Sequence, residues 1–129
     1  MKALDQGMAS LVDFQVSRWF SDAFRARAPE VVDACIATFL ANDLQAYVST
    51  CRMLGAFDGR ALLAGIQVPA RVVVGEEDYA APLAMAQALH EGIAGATLKV
   101  VPGARHLTPL EVPDIIAAEL LALCAEAGR

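Results

Sequence analysis

No stretch of the 129 residues approaches the roughly 18 consecutive apolar residues of a membrane-spanning helix, and Met1–Ser10 lacks the apolar core of a signal peptide. Positive charge is scarce: ten Lys and Arg stand against fifteen Asp and Glu, giving a formal charge of −5, and the basic residues do not cluster beyond Arg25–Arg27. A nucleic-acid groove needs clustered cations, so neither nucleic acid nor a membrane is an expected partner. There are three cysteines and no Cys-x-x-Cys pair. Cys35, Cys51 and Cys124 lie in apolar helical patterns and read as small buried hydrophobes in a reducing cytoplasm, with a cysteine nucleophile as the competing reading. The two histidines, His90 and His106, have no ligand spacing. Glu76, Glu77 and Asp78 form an acidic cluster, but without such spacing no metal site is expected.

What is abundant is apolar and small. The hydrophobic share is 57%, much of it alanine, in a length suited to one ordinary domain. The first half carries helical periodicity throughout. Leu11, Val12, Val16, Trp19, Phe20 and Phe24 form a stripe across residues 8–26. Pro29 suits the first position of a second helix, where its missing N–H costs nothing. Val32, Cys35, Ile36, Phe39 and Leu40 then recur at i, i+3, i+4 spacing. Asn42 is the expected N-cap of a third helix, with Gln45 completing a weak capping box, and Leu44, Tyr47, Val48, Cys51 and Leu54 continue the face. Asp58 is placed to cap a short helix containing Leu62 and Leu63.

The second half changes period. Ala70–Val74 is a β-branched run closed by Gly75, as expected of a buried parallel strand. Pro82 opens a helix with Leu83, Ala86, Leu89 and Ile93 inward. Thr97–Val101 is a second strand, stopped by Pro102-Gly103, and a last helix begins near Pro113 with Ile115, Ile116, Leu120 and Leu123 on one side. Strand, helix, strand implies two parallel strands joined by a right-handed crossover. Two parallel strands are too few for a stable sheet, so at least one edge is expected to lie open. The expected fold class is thus α/β, with a helical segment at 1–57 followed by a β-α-β-α unit at 58–129.

Chemistry concentrates after the two strands. Asp78 follows the first and His106 the second, at the carboxyl ends where open α/β sheets bind ligands. Adjacent parallel strands lie about 4.8 Å apart, so the two loops can bring Asp78 within hydrogen-bond reach of His106. A carboxylate there fixes the tautomer of an imidazole and stabilises its cation. The competing reading is a loop aspartate capping the next helix beside an unrelated surface histidine. His90 reads as an exposed mid-helix residue. Trp19 reads equally as a substrate-lining or a packing tryptophan, and Arg18, Arg25 and Arg27 read by default as solvated helix charges.

Val68-Pro69, Val72, Gly75, Asp78 and Pro82, then Gly103-Ala104, His106-Leu107, Glu111 and Pro113, are similar to the terminal acid–base segment of α/β-hydrolases. Upstream, Gln6-Gly7-Met8-Ala9, Arg18-Trp19-Phe20, Phe24–Arg27, Tyr47, Cys51 and Phe57–Arg60 resemble the helical cap and its exit in 3-oxoadipate enol-lactonases. The resemblance implies a partial α/β-hydrolase fold and hydrolysis of an ester or lactone in aromatic catabolism. It implies His106 as general base, Asp78 as its orienting acid and no cofactor. Two departures stand out. Arg105 replaces a small residue before the histidine, and Ala81 replaces a threonine that is a candidate N-cap worth about 1 kcal/mol. Moreover, none of Ser10, Ser17, Ser21 and Ser49 stands in a Gly-x-Ser-x-Gly frame. The expectation is therefore a C-terminal hydrolase portion, inactive alone, that needs a complementary N-terminal half. The alternative is a non-catalytic remnant that self-associates through its open strand edge.

Overall fold

The computed structural model describes residues 2–128, which divide into two compact units. One comprises the chain up to Ser17 together with Asp22–Asp58; the other comprises Arg18–Ser21 and everything from Gly59 onward.

The first unit is helical: α1 (Lys2–Gln6), a 3-10 turn (Met8–Leu11), α2 (Val12–Trp19, whose last two residues, Arg18 and Trp19, belong to the second unit), α3 (Asp22–Arg27), α4 (Pro29–Leu40) and α5 (Leu44–Ala56). Its buried residues include Ala3, Met8, Val16, Phe24, Val32, Phe39 and Val48. The Phe39 and Tyr47 rings meet edge to face at 5.5 Å, and Gln15 Nε2 donates to the Tyr47 hydroxyl at 3.0 Å. Pro29 opens α4 as its sequence position suggests. The cap of α5 lies one residue later than expected. Asp43 accepts from the Ala46 N–H at 2.8 Å, whereas the Asn42 amide turns back to donate to the carbonyls of Thr38 and Phe39 at the end of α4. An acceptor-only carboxylate suits orphan N–H groups and an amide donor suits orphan C=O groups, so each residue serves the helix end it can satisfy.

The stripe over 8–26 is not one helix; it breaks at Phe20-Ser21. The reason is competition for hydrogen bonds. The carbonyls of Arg18 and Trp19 accept the N–H groups of His106 and Leu107, at 3.3 and 3.0 Å, and the Ser21 N–H donates to the Glu111 carboxylate at 3.0 Å. Phe20 is fully buried at the break.

The second unit continues with a 3-10 turn (Arg60–Gly65), β1 (Arg71–Gly75), α6 (Leu83–Gly92), β2 (Thr97–Val101), α7 (Thr108–Glu111) and α8 (Pro113–Ala127). The turn is capped at Gly59, not at Asp58. β1 and β2 pair in parallel, from Arg71 opposite Thr97 to Gly75 opposite Val101, as the strand–helix–strand pattern requires. The Thr97 N–H meets the Ala70 carbonyl and the Glu76 N–H meets the Val101 carbonyl. By alternation, the backbone polar groups of Val72 and Val74 point at β2, and those of Arg71 and Val73 point at the other edge, on which no strand is found among the described residues.

Val74, Ala86, Ile93, Ala96, Val101 and Ala104 are buried, but Leu89, expected inward, is exposed, and so is Leu120 on the apolar side of α8. Two strands spaced about 4.8 Å apart do not cover a helix about 10 Å across, so the outer rows of α6 and α8 have nothing to pack on. Cys124 is exposed and Cys35 and Cys51 half-buried, contrary to the expectation of buried thiols. On α8, Glu119 accepts from Arg71 at 2.6 Å and from Lys99 at 2.8 Å, tying the helix to both strands. No helix among the described residues is long and apolar enough to cross a membrane.

Gly75 is the tightest point. A Cβ there would lie 2.3 Å from the Ala104 carbonyl oxygen and 2.5 Å from that of Arg105. Both are backbone atoms that cannot swing aside, so Gly75→Ala should destabilise the chain by about 1–3 kcal/mol through overpacking. At Gly55 in α5 a Cβ would meet nothing within 4 Å, and Gly55→Ala should be neutral or stabilising. Urea midpoints would check the contrast; equal effects of the two substitutions would contradict it.

Candidate active site

The carboxyl ends of the two strands converge on one pair of side chains. After β1 the chain is stitched to the loop after β2: the Glu77 N–H donates to the Ala104 carbonyl at 3.0 Å, and Glu76 accepts the Gly103 N–H at 3.1 Å. Gly103 makes the turn out of β2 at φ +66°, a conformation that favours glycine. Asp78 then closes a tight turn. Its Oδ1 accepts the N–H groups of Ala80 and Ala81, at 2.9 and 2.8 Å, and its Oδ2 lies 2.9 Å from His106 Nδ1. The expected cap at position 81 is thus not used as one. Pro82 caps α6, and residue 81 contributes its N–H to Asp78, a service alanine performs as well as threonine.

The Asp78 side chain is 6% exposed and that of His106 39%. Burial works against a charged Asp78, but the N–H donors of Ala81, His106 and Ala80 outweigh it and hold its carboxyl below the usual carboxylate range. An ionised Asp78 makes Nδ1 of His106 the protonated ring nitrogen. Nε2, which has no hydrogen-bond partner among the described residues, is left as an acceptor at a half-exposed surface.

The residues around the pair form a second layer that sequence reasoning did not assemble. Arg105 donates through Nη1 to the Phe20 carbonyl at 3.1 Å and through Nε to Glu77 at 3.3 Å, with its guanidinium 5.4 Å from the Tyr79 ring centroid. Arg18, expected in solvent, donates to the Tyr79 carbonyl. Arg25 pairs with Asp22 and Arg27 lies over the Phe24 ring. Glu111, 5% exposed, accepts the N–H groups of Arg105 and Ser21 on its two oxygens. Its only sequence signal is its place five residues after His106 and two before Pro113. Trp19 is half-buried, and its carbonyl holds the Leu107 N–H, one residue from His106. His90 is exposed on α6. Glu76 and Glu77 are engaged as described, and among the described residues no three His, Cys, Asp or Glu side chains converge as a metal site would require.

No protein-family model matches the chain. It is similar to 3-oxoadipate enol-lactonase 2 of Acinetobacter baylyi, 30% identical over 110 residues that make up 85% of this chain and 41% of that protein. Among solved structures it is similar to the enol-lactonase of Burkholderia xenovorans LB400, with a TM-score of 0.92 and 33% identity over 97% of this chain and 48% of that one. A hydrolase from Pseudomonas aeruginosa PA01 superposes with a TM-score of 0.83 at 27% identity, over 91% of this chain and 44% of that one. The chain therefore spans less than half the length of the relatives it matches.

Because the folded-state pKa of Asp78 lies below its unfolded value, its contribution to stability is complete above the unfolded pKa of about 4 and is lost as pH falls through the folded value. Asp78→Asn should be less stable than wild type at pH 6, and the gap should narrow steadily towards about pH 3. Urea unfolding at a series of pH values measures this; a gap that stays constant with pH would contradict it.

Proposed function

We propose, for a chain that belongs to the α/β-hydrolase superfamily and spans the C-terminal half of its fold, that it supplies the acid–base pair of a serine hydrolase acting on an ester or lactone, with the nucleophile supplied by sequence outside these 129 residues. The observation that carries this reading is the 2.9 Å contact of His106 Nδ1 with a buried, ionised Asp78, at the carboxyl ends of adjacent parallel strands. With Nδ1–H donated to Asp78, Nε2 of His106 takes the proton of a serine hydroxyl as that oxygen attacks the acyl carbon. Asp78 stabilises the imidazolium so formed, and His106 returns the proton to the leaving oxygen. Trp19, held beside the histidine loop through its own carbonyl, lines the substrate side. The names of the enol-lactonases it is similar to favour an enol-lactone as the substrate class. No serine here stands between glycines at two-residue spacing, which supports a nucleophile from a complementary N-terminal half.

The chain alone should hydrolyse a p-nitrophenyl ester no faster than its His106→Ala variant. Co-expressed with the N-terminal half of an enol-lactonase, it should restore turnover. His106→Ala or Asp78→Ala should then each remove on the order of ten-thousand-fold of the rate, and the double variant little more, since the two groups act as a unit. Turnover by the chain alone that depends on His106, or complemented activity indifferent to both changes, would overturn the proposal.

The open edge of β1 supports a second reading, self-association. The outward N–H of Val73 is free of β2, so Val73→Pro removes an edge donor without touching the β1–β2 ladder. If two copies pair edge to edge, light scattering at tens of micromolar should show a dimer or larger species that Val73→Pro dissociates; a wild-type monomer would exclude it.

A further inference from the structure

The histidine loop is not held by its strand alone. His106 and Leu107 donate their N–H groups to the carbonyls of Arg18 and Trp19, the last two residues of α2. Those carbonyls belong to the four that a helix leaves without intrahelical partners, and the loop satisfies them. At the two ends of this two-rung contact, a single side chain closes it. Glu111 Oε2 accepts from the Arg105 N–H at 2.9 Å, immediately before His106, and Oε1 accepts from the Ser21 N–H at 3.0 Å, two residues after Trp19. Glu111 is 5% exposed, so water does not compete well for either donor. Arg105 extends the same clasp to the other member of the pair. Its guanidinium joins the Phe20 carbonyl to Glu77, the residue before Asp78.

We infer that Glu111 is a positioning residue for the acid–base pair: by binding the backbone of Arg105 to that of Ser21, it clamps the histidine loop onto the end of α2 and sets His106 Nδ1 at hydrogen-bond distance from Asp78. The imidazole has only two rotatable bonds between its ring and this backbone, so the position of the backbone largely decides the 2.9 Å contact. A carboxylate suits the position because the two N–H donors reach different oxygens of the side chain, and only a carboxylate offers an acceptor at both. This role deepens the acid–base reading of Asp78 and His106, yet its test reads their hydrogen bond and not turnover, so either can fail without the other.

The test is the rate of exchange with water of the His106 Nδ1 proton, followed by NMR on the 129-residue chain. Glu111→Gln is near-isosteric but places an NH2 group against one of the two N–H donors. It should speed that exchange about tenfold, the loss of one ordinary hydrogen bond, while the amides of the β1–β2 ladder exchange as in wild type. Glu111→Ala should have a larger effect in the same direction. Glu119→Gln, which alters a carboxylate paired with Arg71 and Lys99, should leave the Nδ1 proton unchanged. The role is overturned if Glu111→Gln leaves the Nδ1 exchange rate as it was, or changes it only in proportion to the ladder amides, which is the mark of a general loss of stability.

Discussion

The approach of the Ala104–Arg105 backbone to Gly75 is the constraint on which the site rests. Two parallel strands bring their carboxyl ends within a few ångströms, but side chains on the loops that follow would ordinarily hold those loops apart. At Gly75 there is no side chain, and the carbonyls of Ala104 and Arg105 occupy the space a Cβ would take. Glu76 and Glu77 can then exchange hydrogen bonds with the loop after β2. Asp78 and His106 inherit their separation from that contact. What looks in the sequence like a strand terminator is therefore also the spacer that sets the geometry of an imidazole and a carboxylate 28 residues apart.

Above this contact the structure is layered by the kind of group that each backbone segment needs. Asp78 is an acceptor among donors: two backbone N–H groups and one ring N–H converge on its two oxygens, which keeps it charged in spite of burial. Glu111 repeats the logic one shell out, with two backbone N–H groups on its two oxygens. The break in the helical stripe at Phe20-Ser21 belongs to the same scheme, since the carbonyls freed at the end of α2 are those that receive the histidine loop. The sheet, by contrast, stops at two strands among the described residues, and leucines such as Leu89, Leu120 and Leu121 remain exposed on the helices beside it. Ordered site and incomplete hydrophobic cover fit a chain that matches less than half the length of its relatives.

Elements with a strong internal period were legible in the sequence. The β-branched run before Gly75, the parallel pairing implied by β-α-β, and the proline start of α4 all follow from local stereochemistry. So does the pairing of the Asp78 and His106 loops, which needs only strand spacing and chain direction. Features decided by distant partners were not legible. Nothing near Ser21 announces that its N–H is claimed by Glu111, 90 residues away, and the apolar stripe that continues through it is consistent with an unbroken helix. Arg105 was visible only as a departure from a small residue, because its partners, the Phe20 carbonyl and Glu77, come from two other segments. The choice between Asn42 and Asp43 as a cap turned on whether a donor or an acceptor was wanted, which spacing does not reveal.

The central claim, that His106 held by Asp78 is poised to deprotonate a serine, is tested most directly at the serine itself. In a complex of this chain with an N-terminal hydrolase half, the rate at which a fluorophosphonate labels the nucleophile reports its activation without any later step of turnover. Labelling should slow by orders of magnitude in His106→Ala, should slow in Asp78→Ala, and should be no slower in the double variant than in His106→Ala alone. Labelling at the wild-type rate with His106 removed would show that another group activates the serine, and would contradict the assignment.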